Sequence, residues 1–195
     1  MKAVLMSIQP KWCELIASGK KTVEVRKTRP KNDVPFKCYI YCTKQFYRQG
    51  DGYFQGKHCG KVIAEFICDN IREYESEFVD DDCFEMIASI DRDEDGDATG
   101  FFEWSNDSDI PYISTDFYQK CCVTYEELKK YMGLGFATFY GWHISDLVIY
   151  DKPKELSEFN YYNCTVKTED GFPMPTHHIT RPPQSWCYVV KDGDE

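Results

Sequence analysis

The chain has 195 residues, 42% of them hydrophobic and 16% aromatic, and a formal net charge of −10 at pH 7. That is enough material for one compact domain with a real core, and no apolar run is long enough to cross a bilayer as a helix. The charge is segregated: residues 1–61 carry 13 Lys and Arg against 4 Asp and Glu, whereas 69–116 carry 2 against 17. A polyanion meets the local field rather than the total, so the acidic balance does not exclude nucleic acid from the N-terminal third.

Lys2–Ile8 reads as a first strand. It lacks the long apolar region and small-residue cleavage site of a signal peptide, so the expectation is a cytoplasmic protein with its ten cysteines mostly reduced. No C-x-x-C occurs, and Cys38/Cys42, Cys121/Cys122 and His177/His178 do not have the spacing of a zinc site. No structural metal and no cofactor are expected, and the cysteines are read as small apolar core residues. Pro10 suits the first position of a helix and Gly19 the position just past its end. Between them Trp12, Leu15 and Ile16 share one face. The next stretch, GKKTVEVRK (Gly19–Lys27), alternates as a strand, with Val23 and Val25 on one side and Thr22, Glu24 and Arg26 on the other. A basic loop, Lys27–Lys31, follows. Phe36–Thr43 reads as a strand, Gln49–Gly60 with its four glycines as a turn or loop, and Lys61–Ile71 as one long, largely buried strand.

From Glu73 to Tyr118 the pattern weakens. We expect a single domain over 1–195 with 73–118 as an acidic insertion, irregular apart from a short helix at Cys83–Ile90. Asp91-Arg92-Asp93-Glu94-Asp95-Gly96 matches the first half of an EF-hand loop, which makes Asp91, Asp93 and Asp95 an incomplete calcium candidate. The bidentate glutamate belongs where Phe102 stands, Glu103 is one residue late, and flanking helices are missing. A solvated acidic loop is the plainer reading, one able to fold over a basic cleft or to repel polyanions from it. Thr124 with Glu127 three residues on is a capping box, and Gly133 and Gly135 end that helix. Phe139–Tyr150 reads as a strand with Pro153 as its stop, and Pro182–Val190 as the last one. Five or six strands with two or three short helices suggest an α+β domain on a small, mostly antiparallel barrel.

The order strand, S-I-Q-P-K-W, helix, S-G-K-K-T-V-E-V-R resembles the N-terminal part of the ASCH families, relatives of the PUA fold, in bacterial and phage proteins. Gly19, Lys21, Glu24 and Arg26 match their G-x-K-x-x-E-x-R segment. Gly60–Phe66, Tyr140–Leu147 and Pro183–Trp186 extend the likeness over about 1–72 and 120–190. The resemblance implies a PUA-like pseudo-barrel whose cleft, lined by the first helix and the start of the second strand, takes RNA or a modified nucleobase. The residue types suit that ligand. Lys21 and Arg26 can neutralise phosphate or meet an electron-rich base edge. Glu24 can accept from an exocyclic amine or hold Arg26 as an ion pair. Trp12, Trp142 and Trp186 can stack on a base, and Lys11, Lys20, Lys27, Arg29 and Lys31 can follow the backbone. His143 and Ser185 complete the candidate surface. Each has a plainer alternative: a structural ion pair for Glu24–Arg26, core packing for the tryptophans, a satisfied sheet histidine for His143.

Some small bacterial ASCH proteins are amidohydrolases that deacetylate N4-acetylcytidine with the strand-two lysine, a threonine three residues later and a glutamate from a later loop. Here Lys21 fits, but Glu24 stands in the threonine's place and no later glutamate aligns. An enzyme of this kind acting on N4-acylated nucleosides would rely on Lys21 and Glu24, with Thr22 or water as nucleophile. A noncatalytic binder of RNA or a modified nucleoside is the first reading, the amidohydrolase the second, and a protein–protein adaptor the third.

Overall fold

The computed structural model describes residues 2–44, 47–49, 52–54, 59–78, 86–90, 112–162 and 178–191. The chain divides into two compact units, each discontinuous in sequence: Met1–Ala17, Pro35–Cys68 and Ser145–Glu195 form the first, and Ser18–Val34 with Asp69–Ile144 the second.

In chain order the elements begin with β1 (Ala3–Ile8), α1 (Pro10–Ala17), β2 (Val23–Arg26) and β3 (Phe36–Cys42). A small hairpin, β4 (Tyr47–Gln49) and β5 (Gly52–Phe54), occupies part of the glycine-rich stretch expected to be loop. Then come β6 (Val62–Cys68), β7 (Ile71–Phe78), β8 (Met86–Ile90), α2 (Tyr112–Cys121) and α3 (Tyr125–Met132). The chain continues through β9 (Gly135–His143), β10 (Ser145–Lys154), β11 (Phe159–Tyr161) and β12 (Trp186–Lys191).

The first unit holds a six-stranded sheet in the order β10-β6-β3-β1-β12-β11. Only β1 and β3 run parallel in it, and the connection between them is long enough to carry α1, as a parallel crossover requires. β1 is buried on both faces from Ala3 to Met6, which explains the apolar run there. One face of the sheet packs Leu5, Tyr39, Tyr41, Val62, Phe159, Ile179 and Val189 into a core, with Tyr39 edge-on to Phe159 at 4.8 Å. In α1 the buried residues are Pro10, Cys13 and Ile16. Trp12 and Leu15, expected to lead the apolar face, sit at its half-buried margins.

The second unit holds a four-stranded sheet, β2-β9-β7-β8, all antiparallel. Its core gathers Val23, Val25, Tyr74, Phe117, Leu128 and Phe139. Tyr74 lies 4.6 Å from Phe117 and stacks on Phe139 at 5.5 Å between ring centres. Burial of large apolar side chains of this kind contributes roughly 1.5–3 kcal/mol each. Across the strands, Gly141 is the residue that lets these layers meet. A Cβ there would stand 2.9 Å from Val23 Cγ1 and 3.0 Å from Tyr74 Cε2.

Several sequence expectations need correcting. Lys61–Ile71 is not one strand: Asp69 and Asn70 break it, β6 joins the first sheet, and β7 joins the second. Phe139–Tyr150 divides in the same way at Ile144, and β10 runs through Pro153 to Lys154 on an edge of its sheet, where a missing N–H is tolerated. Because both long runs are shared between sheets, no pairing among the described residues closes the expected barrel. Among the described residues the fold is an α+β arrangement of two larger open sheets and the small β4–β5 hairpin, with three α-helices. The acidic stretch contributes β7, β8 and α2, so Met86–Ile90 is a strand, not the end of a helix. The calcium candidate Asp91, Asp93 and Asp95 lies outside the described residues. The capping box forms as expected: Glu127 N donates to Thr124 Oγ1 at 3.2 Å, and Thr124 N donates to Glu127 Oε2 at 3.0 Å. Among the described residues no helix is long and apolar enough to cross a membrane.

Gly141→Ala is expected to destabilise the protein by about 1–3 kcal/mol, because a stiff valine and a stacked tyrosine must both shift. Chemical denaturation measures this, and an unchanged midpoint would contradict the close packing at Gly141.

Candidate functional site

The GKKTVEVR segment is held by backbone contacts before any side chain acts. Gly19 has φ +72°, a left-handed conformation that glycine adopts without strain. Thr22 N donates to Lys120 O, and Thr22 O accepts from Ile144 N, both at 2.9 Å. The segment is thereby fixed between the end of α2 and the end of β9. β2 then pairs with β9, setting Glu24 opposite Trp142 and Arg26 opposite Tyr140.

Three charged side chains of this segment are buried: Lys21 is 3% exposed, Glu24 6% and Arg26 6%. Lys21 Nζ lies 3.3 Å from Glu24 Oε2, and Arg26 Nη2 lies 3.0 Å from Glu24 Oε1. One carboxylate is shared by two cations, an arrangement that offsets desolvation only when the geometry is good. Lys21 Nζ also donates to Cys121 O at 2.6 Å. That carbonyl belongs to the last turn of α2, the negative end of the helix dipole, where a cation is favourable. Lys27 does the same more loosely for α3, donating to Met132 O at 3.4 Å while its ammonium stands 5.1 Å from the Tyr131 ring centre. Two lysines of the basic segment therefore close helix C-termini.

Two neighbours of the trio were not legible in the sequence. Burial pushes the Tyr131 hydroxyl above its ordinary pKa, with Arg26 pulling it down and Glu24 pushing it up, so this ring is within electrostatic reach of the pair. Burial likewise pushes the Cys121 thiol up to about 11, only partly countered by a hydrogen bond from the Val123 backbone and by the charge of Lys21. Both contacts span about a hundred residues, and no local spacing signals them.

The remaining candidates are distributed as follows. In the second unit Lys20, Lys27 and Arg29 are exposed and Thr22 is half-buried. Trp142 is 0% exposed, so its ring is packing material and offers no open face for stacking. His143 Nδ1 lies 2.6 Å from Asp69 Oδ1, and its backbone N–H donates to Asn70 O. In the first unit Lys11 Nζ stands 4.1 Å over the ring of its neighbour Trp12. Ser185 O accepts from Ser7 N at 2.9 Å, and half-buried Trp186 meets Tyr188 edge-on at 5.3 Å. Among the described residues no cluster of His, Cys, Asp or Glu is arranged to hold a metal.

The chain is thus a small mixed α+β protein with a buried ion trio at the start of β2. The ASCH domain model matches residues 6–163, and the chain belongs to the ASCH domain family. Among solved structures it is similar to an ASCH protein from Zymomonas mobilis, with a TM-score of 0.54 and 16% identity over 97% of this chain and 88% of that one. Two single-substitution variants of the Zymomonas mobilis protein, also at 16% identity, give TM-scores of 0.52 and 0.54. They cover 97% and 98% of this chain and 89% and 92% of theirs. At that identity the likeness concerns the fold. No curated protein matches the chain.

Glu24→Gln removes the anion that both cations share and leaves Lys21 and Arg26 buried beside each other. The expected loss is about 3–5 kcal/mol of unfolding free energy, against less than about 0.5 kcal/mol for Lys20→Ala at the exposed neighbour. Equal, small effects of the two substitutions in denaturant titrations would show that the trio is not a structural centre.

Proposed function

We propose that this ASCH protein binds RNA or a modified nucleobase at a surface built around residues 20–29. The observation that carries the reading is the Glu24 carboxylate fixed between Lys21 and Arg26 at 3.3 and 3.0 Å, in a segment whose outer cations, Lys20, Lys27 and Arg29, are exposed. The buried trio fixes the backbone of the segment, and the exposed cations it carries supply the sequence-independent attraction to phosphate. The family membership and the basic N-terminal third support the same reading. His143, at the end of β9 in the same unit as these cations, is a polar candidate beside them.

The exposed cations give the cleaner test, because they can be removed without disturbing the buried trio. Lys20→Ala combined with Arg29→Ala should weaken binding of a single-stranded RNA several-fold in fluorescence anisotropy. The slope of log affinity against log salt should fall by about 0.7 per lost phosphate contact. Unchanged affinity and slope in a folded double variant would overturn the assignment of this surface.

A second reading, an amidohydrolase on N4-acylated cytidine-type nucleosides, is favoured by the Lys21–Glu24 contact, which joins a potential base and acid beside Thr22. Incubation with N4-acetylcytidine followed by mass spectrometry decides it. Release of cytidine that is abolished by Lys21→Met supports the enzyme, and no release by the wild type removes it.

A further inference from the structure

The first unit contains a cluster of thiols that the proposed function does not use. Cys42 is the last residue of β3, Cys13 lies on the buried face of α1, and Cys59 precedes β6. Cys42 Sγ and Cys59 Sγ are 3.8 Å apart, close to contact distance. The backbone enforces this approach. Gly60 N donates to Cys42 O at 2.7 Å and Cys42 N donates to Lys61 O at 2.9 Å, extending the β3–β6 pairing to the two residues that follow Cys59. Gly60 has φ +87°, a left-handed conformation that strains any residue with a side chain, so the turn that presents Cys59 favours glycine. The two cysteines are thus held side by side by the ladder and by a constrained turn. That placement satisfies the main demand of a disulfide, which forms only between residues whose backbones already lie close.

We propose that Cys42 and Cys59 form a reversible dithiol–disulfide site, oxidised by a hydroperoxide, with Cys59 as the thiol that meets the oxidant and Cys42 as the thiol that resolves it. Cys59 is half-buried and reachable, whereas Cys42 is 4% exposed and faces its partner. In the first step the Cys59 thiol gives up its proton and the thiolate sulfur attacks one oxygen of hydrogen peroxide. The S–O bond forms, the O–O bond breaks, and the departing hydroxide leaves as water with that proton. In the second step Cys42 thiolate attacks the Cys59 sulfenic sulfur. The S–S bond forms, the S–O bond breaks, and hydroxide leaves as water with the proton that Cys42 released. The two thiols lose two electrons and one peroxide is reduced to two waters. A dithiol reductant reverses the change by exchange.

The surroundings suit the resolving role. A hydrogen bond from Cys13 lowers the Cys42 thiol to about 7, with a second contribution from Cys59, against the opposing effects of burial and of the Glu14 charge. Tyr41 also lies beside the pair. Burial raises its hydroxyl, and the charges of Cys42 and Cys59 raise it further, so it stays neutral when the thiols ionise. Cys187 and Cys121 contrast with Cys42, since burial pushes both up to about 11 and leaves them little thiolate at neutral pH.

The test is peptide mapping of the full chain after hydrogen peroxide treatment. The wild type should yield a linked pair containing Cys42 and Cys59, lose labelling by a maleimide at those two positions, and recover it after dithiothreitol. Closure should accelerate as pH rises through about 7, where Cys42 gains thiolate. Cys42→Ser should stop at a dimedone-reactive Cys59, and Cys187→Ser should behave as wild type. If both cysteines stay fully labelled in peroxide-treated wild type, or if either is found linked to another cysteine instead, the proposal is wrong. The wild-type map decides the matter even if the Cys42 variant fails to fold, and it does not depend on RNA binding.

Discussion

The second unit turns on one carboxylate. Glu24 sits in a buried strand between Lys21 and Arg26, and neither cation would tolerate that depth without it. Lys21 simultaneously closes the C-terminal turn of α2 through Cys121 O, so the ion trio and the helix end share a single ammonium. The consequence is rigidity at the point where β2 begins. Each member of this network is in contact with another, so removal of one strands a buried charge and is strongly destabilising.

This division of labour changes what the basic segment can do. Of its cations, Lys21 and Arg26 are committed inside and Lys27 partly to α3, whereas Lys20 and Arg29 remain on the surface. The motif is therefore two layers: an inner set that fixes the backbone and orients one guanidinium and one carboxylate, and an outer set that can meet phosphate. In such a scheme the inner layer supplies geometry and the outer layer supplies attraction that weakens with salt. The thiol pair of the first unit follows a similar logic, with a backbone ladder and a glycine turn deciding which side chains meet.

Much of this was readable from the sequence. The proline and glycine bounding α1, the capping box at Thr124 and the G-x-K-x-x-E-x-R segment are local signals, and local chemistry fixed them. The alternation in β2 placed Val23 and Val25 on the apolar side and Glu24 and Arg26 on the other, a pattern that by itself does not say whether the second face is covered. Both faces are in fact covered, which no single strand can report about itself. Lys61–Ile71 and Phe139–Tyr150 each read as one strand because apolar runs do not say where a chain changes sheets. Only Asp69-Asn70 hinted at one of the breaks. Trp142 lay in the right strand but faced inward, since its register opposite Glu24 is set by pairing across more than a hundred residues. Tyr131 and the Cys121 carbonyl were invisible for the same reason.

The most direct measurement is ultraviolet crosslinking of bound RNA to the intact protein, with the crosslinked peptides identified by mass spectrometry. The account predicts adducts concentrated in residues 20–29, where the fixed carboxylate and guanidinium are flanked by exposed cations. Adducts confined to other parts of the chain, or none with any RNA tested, would contradict it.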